Sequence, residues 1–159
     1  MNGEPATPLD PRARLLWRIE ARAPAAMLGL SSLGLRWVAL QSETLPDVIA
    51  PAALLIGVAG IAWLIGFGPS VRWRWWRYGI ERNEVDLAYG WFTRTRTVIP
   101  MARIQHVDTV RGPVERRLGL ATVVLHTAAG SNVIPALADA DAAAVRERIS
   151  SLANVRQDL

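Results

Sequence analysis

The sequence contains no cysteine and no lysine, and it has only two histidines. Without cysteine, the chain cannot form a disulfide, a thiolate metal site or a cysteine nucleophile. All 18 basic residues are therefore arginine, and together with the many alanines this indicates a genomic coding bias rather than selection for phosphate contacts. The net charge of +4 is modest, so the positions of the arginines matter more than their number.

Signals for catalysis are equally sparse. His106 and His126 both lie in predicted strands, and without a third ligand at a suitable spacing we expect no zinc site. The serines have no Gly-x-Ser-x-Gly context, and the glycines form no phosphate-binding loop. We therefore expect no catalytic residue, no bound metal and no cofactor, and we interpret the protein as one that is not an enzyme.

One long run of residues carries no charge at all. Residues 48–68, VIAPAALLIGVAGIAWLIGFG, extend about 31 Å as a helix, enough to cross a hydrocarbon core of about 30 Å. A buried helix of a soluble protein normally has a polar stripe, and this run has none. We predict a transmembrane span here.

An earlier apolar stretch, residues 23–40, contains a single charge, Arg36. The charge lies about one turn from the end, so its head group can reach the interface beside Trp37. A cleaved signal peptide is the competing interpretation, but no small-x-small cleavage site follows the stretch. We predict a first span and hence a hairpin of two membrane helices.

Charge is distributed unevenly around this hairpin. The link QSETLPD is acidic and has no arginine, whereas arginines precede the first span and follow the second. By the positive-inside rule, we expect a multi-pass protein of the cell membrane with both termini in the cytoplasm.

The segment directly after the second span, RWRWWR, alternates cations with large aromatics. Such a pattern can bind single-stranded nucleic acid, but here a hydrophobic span ends immediately before it, so we expect no nucleic-acid partner. We predict instead a membrane-interface segment in which the aromatics form a belt and the cations meet lipid phosphates. Its residues are Arg72, Trp73, Arg74, Trp75, Trp76 and Arg77.

Three regions follow from these patterns. Residues 1–22 are predicted to be a flexible tail and a basic interfacial helix with Leu15, Leu16 and Ile19 facing lipid. Residues 23–69 form the transmembrane hairpin. Residues 70–154 read as six or seven short antiparallel strands and one C-terminal amphipathic helix on which Ala142, Val145, Ile149 and Leu152 share a face.

The order of these features resembles the bacterial pleckstrin-homology-like (PH-like) domains of the YdbS-like, membrane-flanked family. The most telling stretches are IPMARIQHV at residues 99–107 and RRLGLATVVLHT at residues 116–127. The resemblance implies an α+β membrane protein, with a PH-like antiparallel β-sandwich or barrel closed by the C-terminal helix. It also implies a family whose biochemical role is largely undefined, with envelope stress suggested for some members.

The function expected on this basis is a non-catalytic, membrane-anchored adaptor or assembly module at the cytoplasmic membrane face. Its partner would be membrane lipid together with a second copy of itself or another membrane protein, such as a relative with several PH-like domains. An anionic-lipid sensor is the alternative. The candidate residues for lipid or partner binding are Arg103, Arg111, Arg116 and Arg117, and a solvated arginine surface is the plainer explanation of the same residues.

Overall fold

The computed structural model of the protein describes residues 5–157, with side chains described as far as residue 153. The described residues divide into two units: residues 17–70, and residues 5–16 together with 71–157. The first unit is helical, and the second contains all the strands.

The helical part of the chain begins before the predicted hairpin and extends past it. Two helices, Ala13–Gln41 and Ile49–Trp75, are long and apolar enough to cross a bilayer. They contain the first predicted span, residues 23–40, and all but the first residue of the second, residues 48–68. The bounds of their segments are α1 Ala13–Glu20, α2 Arg22–Gln41, α3 Ile49–Ile61, a π-helical stretch Ala62–Phe67 and α4 Gly68–Trp75.

Small residues let α2 and α3 approach each other closely. A Cβ atom on Gly57 would lie 2.2 Å from Ser32 Oγ, and one on Gly60 would lie 2.4 Å from Leu28 Cδ2. Ala25 and Ala53 are buried in the same unit, whereas nothing lies within 4 Å of a Cβ on Gly66. Gly57 and Gly60 thus serve helix packing within the hairpin itself.

Most large apolar side chains of the two helices are not covered by protein. Only 6% of the apolar window in the first helix and 17% in the second is buried, so neither is the core helix of a soluble domain. An exposed surface this apolar is typical of helices that contact lipid or another protein. The exposed residues include Met27, Leu30, Leu33, Leu55, Ile56 and Val58.

Seven strands make up two antiparallel sheets in the described residues, and six of them lie in residues 70–154, where six or seven were predicted. The first sheet has the order β1-β2-β3-β4 and the second the order β5-β6-β7. The strands are β1 Thr7–Pro8, β2 Arg77–Ile80, β3 Glu84–Tyr89, β4 Thr95–Pro100, β5 Ile104–Val110, β6 Leu120–Thr127 and β7 Gly130–Ala138.

The two sheets do not join into a closed barrel among the described residues. The prediction of a barrel was therefore wrong. A 3₁₀ turn, Met101–Arg103, separates β4 from β5, and no hydrogen-bonded pairing joins these consecutive strands. Each sheet therefore keeps its edges, and its apolar face must be covered by other elements.

The C-terminal helix α6, Asp139–Gln157, covers the second sheet as predicted. Ala142, Val145 and Ile149 are buried at helical spacing. On the sheets, the fully buried side chains belong to alternating positions such as Val85 and Leu87 of β3, or Val123 and Leu125 of β6.

The N-terminal segment differs from the flexible tail and lipid-facing helix expected. Thr7 and Pro8 pair with Tyr78 and Arg77, adding β1 to the first sheet. Leu16 is 2% exposed and therefore is buried in protein rather than directed at lipid, although Leu15 is 45% exposed. The cause is the edge of β2. Its backbone N–H and C=O groups would otherwise have no strand partner, and a short extended segment can pair with them.

Polar contacts hold this segment in place. The Trp73 indole N–H lies 3.0 Å from the Leu9 carbonyl oxygen and 3.1 Å from that of Asp10. Arg12 Nη1 donates to the carbonyl oxygen of Leu118 at 2.8 Å, and its guanidinium also pairs with Asp10 at 3.0 Å. We call residues 5–16 the N-terminal clamp.

The contacts of the clamp indicate that the stability of the fold depends on pH. The hydrogen bond from the Arg12 side chain holds the pKa of the Asp10 carboxyl below its ordinary value. A lowered folded-state pKa stabilises the fold above the ordinary value near 3.8, and this contribution disappears as the pH falls through the folded-state pKa.

We therefore expect Asp10→Asn to have a lower free energy of unfolding than the natural chain at pH 7. The difference in this free energy should shrink as the pH falls from about 5 to about 3. Denaturant unfolding of the full chain in mild detergent at several pH values measures this. A difference that stays constant over that range would contradict the role of the ionised carboxylate. Asp47→Asn, in the link between the helices, is the control.

Candidate functional site

The six residues of the RWRWWR segment do not share one environment. They occupy the last residues of α4 and the start of β2. Trp76 is 5% exposed and stacks on Tyr89, with the ring centroids 5.6 Å apart and an angle of 17° between the planes. Trp76 is thus a core residue of the unit that contains the strands, and its ring is not available to an aromatic belt.

Trp73 and Arg77 also face protein groups. Trp73 anchors the N-terminal clamp, and the Arg14 guanidinium lies 4.5 Å from the centre of its ring. Arg77 Nη1 donates to the Trp76 carbonyl oxygen at 2.7 Å, which satisfies a terminal carbonyl of α4. Only Arg72, Arg74 and Trp75 of the segment are exposed.

Beside Trp75 lies a second exposed aromatic group that the sequence interpretation did not select. The turn between β3 and β4 carries Trp91 at 54% exposure and Phe92 at 86%, and their rings meet edge to face at 5.9 Å. Arg94 of the same turn stacks over the Trp75 ring at 4.9 Å. We call Trp75, Trp91, Phe92 and Arg94 the aromatic rim.

The geometry of the rim depends on a tight turn at Gly90. Its φ angle is +95°, and a Cβ atom there would lie 2.1 Å from the Thr93 carbonyl oxygen, so only glycine fits. The sequence signal that could have located the rim is this glycine, followed directly by two large aromatics in a turn.

A groove opens next to the buried Trp76–Tyr89 stack. Its volume is about 390 Å³, and its wall combines aromatic and aliphatic side chains with a few polar groups from the edge strand β7. Such a composition is typical of a pocket that binds a ligand or a peptide segment. The lining residues are Arg72, Trp76, Leu87, Tyr89, Gly90, Ser131, Asn132, Val133 and Pro135.

The four arginines proposed for lipid or partner binding do not form one patch. Arg103 precedes β5 and Arg111 follows it, so the strand separates them by roughly 23 Å. Arg111 is paired with Asp139 at 3.0 Å. Arg116 and Arg117 remain together on the short helix α5, Pro113–Leu118, and both are exposed.

Local contacts fix the position of α5. The Glu115 carboxylate is buried, accepting hydrogen bonds from the Gly112 N–H and the Thr122 hydroxyl, each at 2.7 Å. Gly119 ends the helix at a φ angle of +64°. Because Arg12 of the clamp donates to Leu118, Arg116 and Arg117 lie near the clamp, whereas Arg103 does not share this surface.

The second sheet brings the two histidines together. His106 and His126 are paired in the register of β5 and β6, and their rings stack at 4.2 Å. Asp108 lies beside both, although the sequence interpretation found no third ligand for them. The carboxylate Oδ2 is 3.2 Å from His126 Nε2 and 3.7 Å from His106 Nε2.

Comparison with known proteins identifies the family. A family model described as a bacterial PH domain matches residues 28–153. The chain belongs to the bacterial PH domain family. It is also 39% identical, over 145 residues, to the UPF0699 transmembrane protein YdbS of Bacillus subtilis strain 168, covering 82% of this chain and 91% of that protein. No solved structure matches the chain.

These matches confirm the resemblance to YdbS-like proteins. Together with the two apolar helices, they make the chain a membrane-associated protein carrying a bacterial PH domain. They also point to a non-enzymatic module, in agreement with the sparse catalytic signals of the sequence.

The buried position of Trp76 in this bacterial PH domain can be tested. We expect Trp76→Ala to lower the free energy of unfolding by about 3–5 kcal/mol, because it removes a buried indole and leaves a cavity. The matched control Trp75→Ala removes the same side chain one residue earlier, where it is 37% exposed and stacks with Arg94, and should cost only about 1–2 kcal/mol. Denaturant unfolding of both variants in mild detergent gives the comparison, and equal losses would contradict the assignment.

Proposed function

We propose that the protein is a non-catalytic, membrane-anchored assembly module. Two membrane helices hold its PH-like domain at the cytoplasmic membrane face, where the groove beside Trp76 binds an extended segment of a second membrane protein or of another copy of the chain. The arginines on both sides of the helices and the acidic link support the cytoplasmic placement of the termini. A role in envelope stress is compatible with this placement.

The groove is the observation that carries the proposal. Its aromatic floor is already ordered by the Trp76–Tyr89 stack, so a partner need not order it on binding. One wall is β7, an edge strand paired only with β6 among the described strands. An edge strand can add a further strand through backbone hydrogen bonds while nearby pockets accept alternate side chains.

Two features restrict what can bind. Pro135 removes one backbone donor from β7, which limits strand addition to the part of β7 that precedes it. Arg72 is among the lining residues, and its positive charge makes the groove less suited to a basic occupant. An uncharged or acidic peptide segment fits these features better than a basic one.

Substitution within the groove tests this function. Asn132 lies opposite the fully buried Leu125 in the register, so both side chains point to the inner face of the sheet. We expect Asn132→Arg to fill the groove, place a second cation near Arg72 and abolish assembly. The control Val110→Arg changes a residue of β5 that is 52% exposed and does not line the groove.

Native mass spectrometry of the full chain, released gently from membranes into nanodiscs, measures the assembly. A stoichiometric second subunit or a closed homo-oligomer, lost in Asn132→Arg and retained in Val110→Arg, is the expected result. A monomer in the natural chain, or a complex that survives the groove substitution, would contradict the proposal.

A second candidate function is contact with anionic lipid, favoured by the aromatic rim. Trp75 follows the end of the apolar run by only seven residues, about 10 Å at helical rise, so the rim cannot be far from the bilayer surface. Exposed Trp and Phe side chains are stable at that depth. Arg116 and Arg117 each add roughly 1 kcal/mol if they reach an anionic surface.

Lipid contact predicts that amide exchange depends on the lipid composition of the membrane. In nanodiscs of anionic lipid, we expect amide exchange in the turn at residues 90–94 to be slower than in zwitterionic lipid, and salt to reduce the difference. Trp91→Ser with Phe92→Ser, or Arg116→Gln with Arg117→Gln, should diminish the protection. Arg103→Gln should leave it unchanged, because that residue lies at the other end of β5. Identical exchange in both lipids would exclude the lipid contact.

A further inference from the structure

The exposed face of the second sheet carries a cluster that neither proposed function uses. His106 and Asp108 are two residues apart on β5, so their side chains point to the same face. His126 lies directly opposite His106 on β6. These three side chains come from two strands whose backbones are held together by the sheet, which limits how far they can move apart.

The three potential ligand atoms are already close together. All of them lie within 4.8 Å of one another, and both Nε2 atoms face the same carboxylate oxygen, at 3.2 and 3.7 Å. A tetrahedral Zn²⁺ ion bonded at about 2.0–2.2 Å would hold its ligands roughly 3.3 Å apart. The rings are stacked almost in parallel, with 12° between their planes, so both imidazoles must rotate out of the stack before their in-plane Nε2 lone pairs can point to one ion beside Asp108.

A neighbouring hydroxyl orients one of the imidazoles. Ser131 Oγ lies 3.0 Å from His126 Nδ1. When Nδ1 carries the proton and donates to this oxygen, Nε2 presents its lone pair toward Asp108. Metal-binding histidines commonly donate their second ring N–H in this way, which fixes the tautomer and strengthens the ligand.

We propose that His106, Asp108 and His126 form a surface site for a divalent transition-metal ion such as Zn²⁺. Two imidazole nitrogens and one carboxylate oxygen suit Zn²⁺ better than Mg²⁺ or Ca²⁺, which prefer oxygen ligands. The side chains of His106 and Asp108 are 60% and 57% exposed, so solvent can supply the remaining ligand. The proposal is independent of the assembly and lipid-contact functions.

Bound metal would join β5 to β6 through their side chains. The two strands are connected through α5, and their register shifts between Ile104 and His106. A metal bridge at His106 would stabilise this pairing, so the ion should raise the thermal stability of the folded chain.

Zinc titration of the full chain in mild detergent tests the site. The two histidines are the only ones in the sequence, so a histidine-free purification tag is needed. After removal of metal with a chelator, calorimetry should show one Zn²⁺ per chain with a dissociation constant in the micromolar range. Addition of Zn²⁺ should also raise the midpoint of thermal unfolding.

The Zn²⁺ affinities of variants distinguish binding at this site from binding elsewhere on the chain. We expect the double variant His106→Gln/His126→Gln to bind Zn²⁺ at least tenfold more weakly and Ser131→Ala about tenfold more weakly. Asp108→Asn should also lose at least tenfold, whereas Asp47→Asn, a carboxylate outside the domain, should bind as the natural chain does. Unfolding of each metal-free variant shows that the fold is retained.

The proposal is overturned if no saturable binding occurs below about 1 mM Zn²⁺, a concentration at which the binding free energy is only about −4 kcal/mol. It is also overturned if the double histidine variant loses less than tenfold in affinity, since the ion would then bind elsewhere on the chain.

Discussion

The fold depends on the backbone pairing of Thr7 and Pro8 with the strand that follows the membrane helices. Hydrogen bonds reinforce this pairing: Arg12, which precedes the helices in the sequence, donates to Leu118, and Trp73, which lies at their end, donates to Leu9. Because residues before and after the helices belong to one folded unit, they must lie on the same side of a membrane. If the intervening helices cross a bilayer, they therefore cross it an even number of times, which the strand pairing indicates without the distribution of arginines.

The same unit accounts for the different environments of neighbouring tryptophans. The end of α4 directs Trp76 into the core, Trp73 toward the clamp and Trp75 outward. Stacking of Trp76 on Tyr89 shapes the groove floor, and stacking of Arg94 on Trp75 places the turn after β3 at the rim. One short helical segment thus organises both surfaces on which partner binding can be proposed.

Much of the fold was predictable from the sequence because its signals are local. Uncharged runs, alternating strands and the helical spacing of Ala142, Val145 and Ile149 gave the right elements. The two-residue strand β1 was not predictable, since it contains Pro8 and its partner lies about 70 residues away. The pairing of His106 with His126 was not predictable either. The register of β5 and β6 shifts between Ile104 and His106, and the helix α5 separates the two strands in the chain. The separation of Arg103 from Arg111 was implicit in the length of β5.

The closing of the first sheet by β1 also has a consequence for biosynthesis. The N-terminal clamp is synthesised before the helices, whereas its partner Tyr78 follows about 70 residues later. At about 5–20 residues per second, the early segment waits roughly 4–14 s for its strand. During that time both apolar helices emerge, so the residues of the clamp must stay unpaired until the strand that they join has been synthesised.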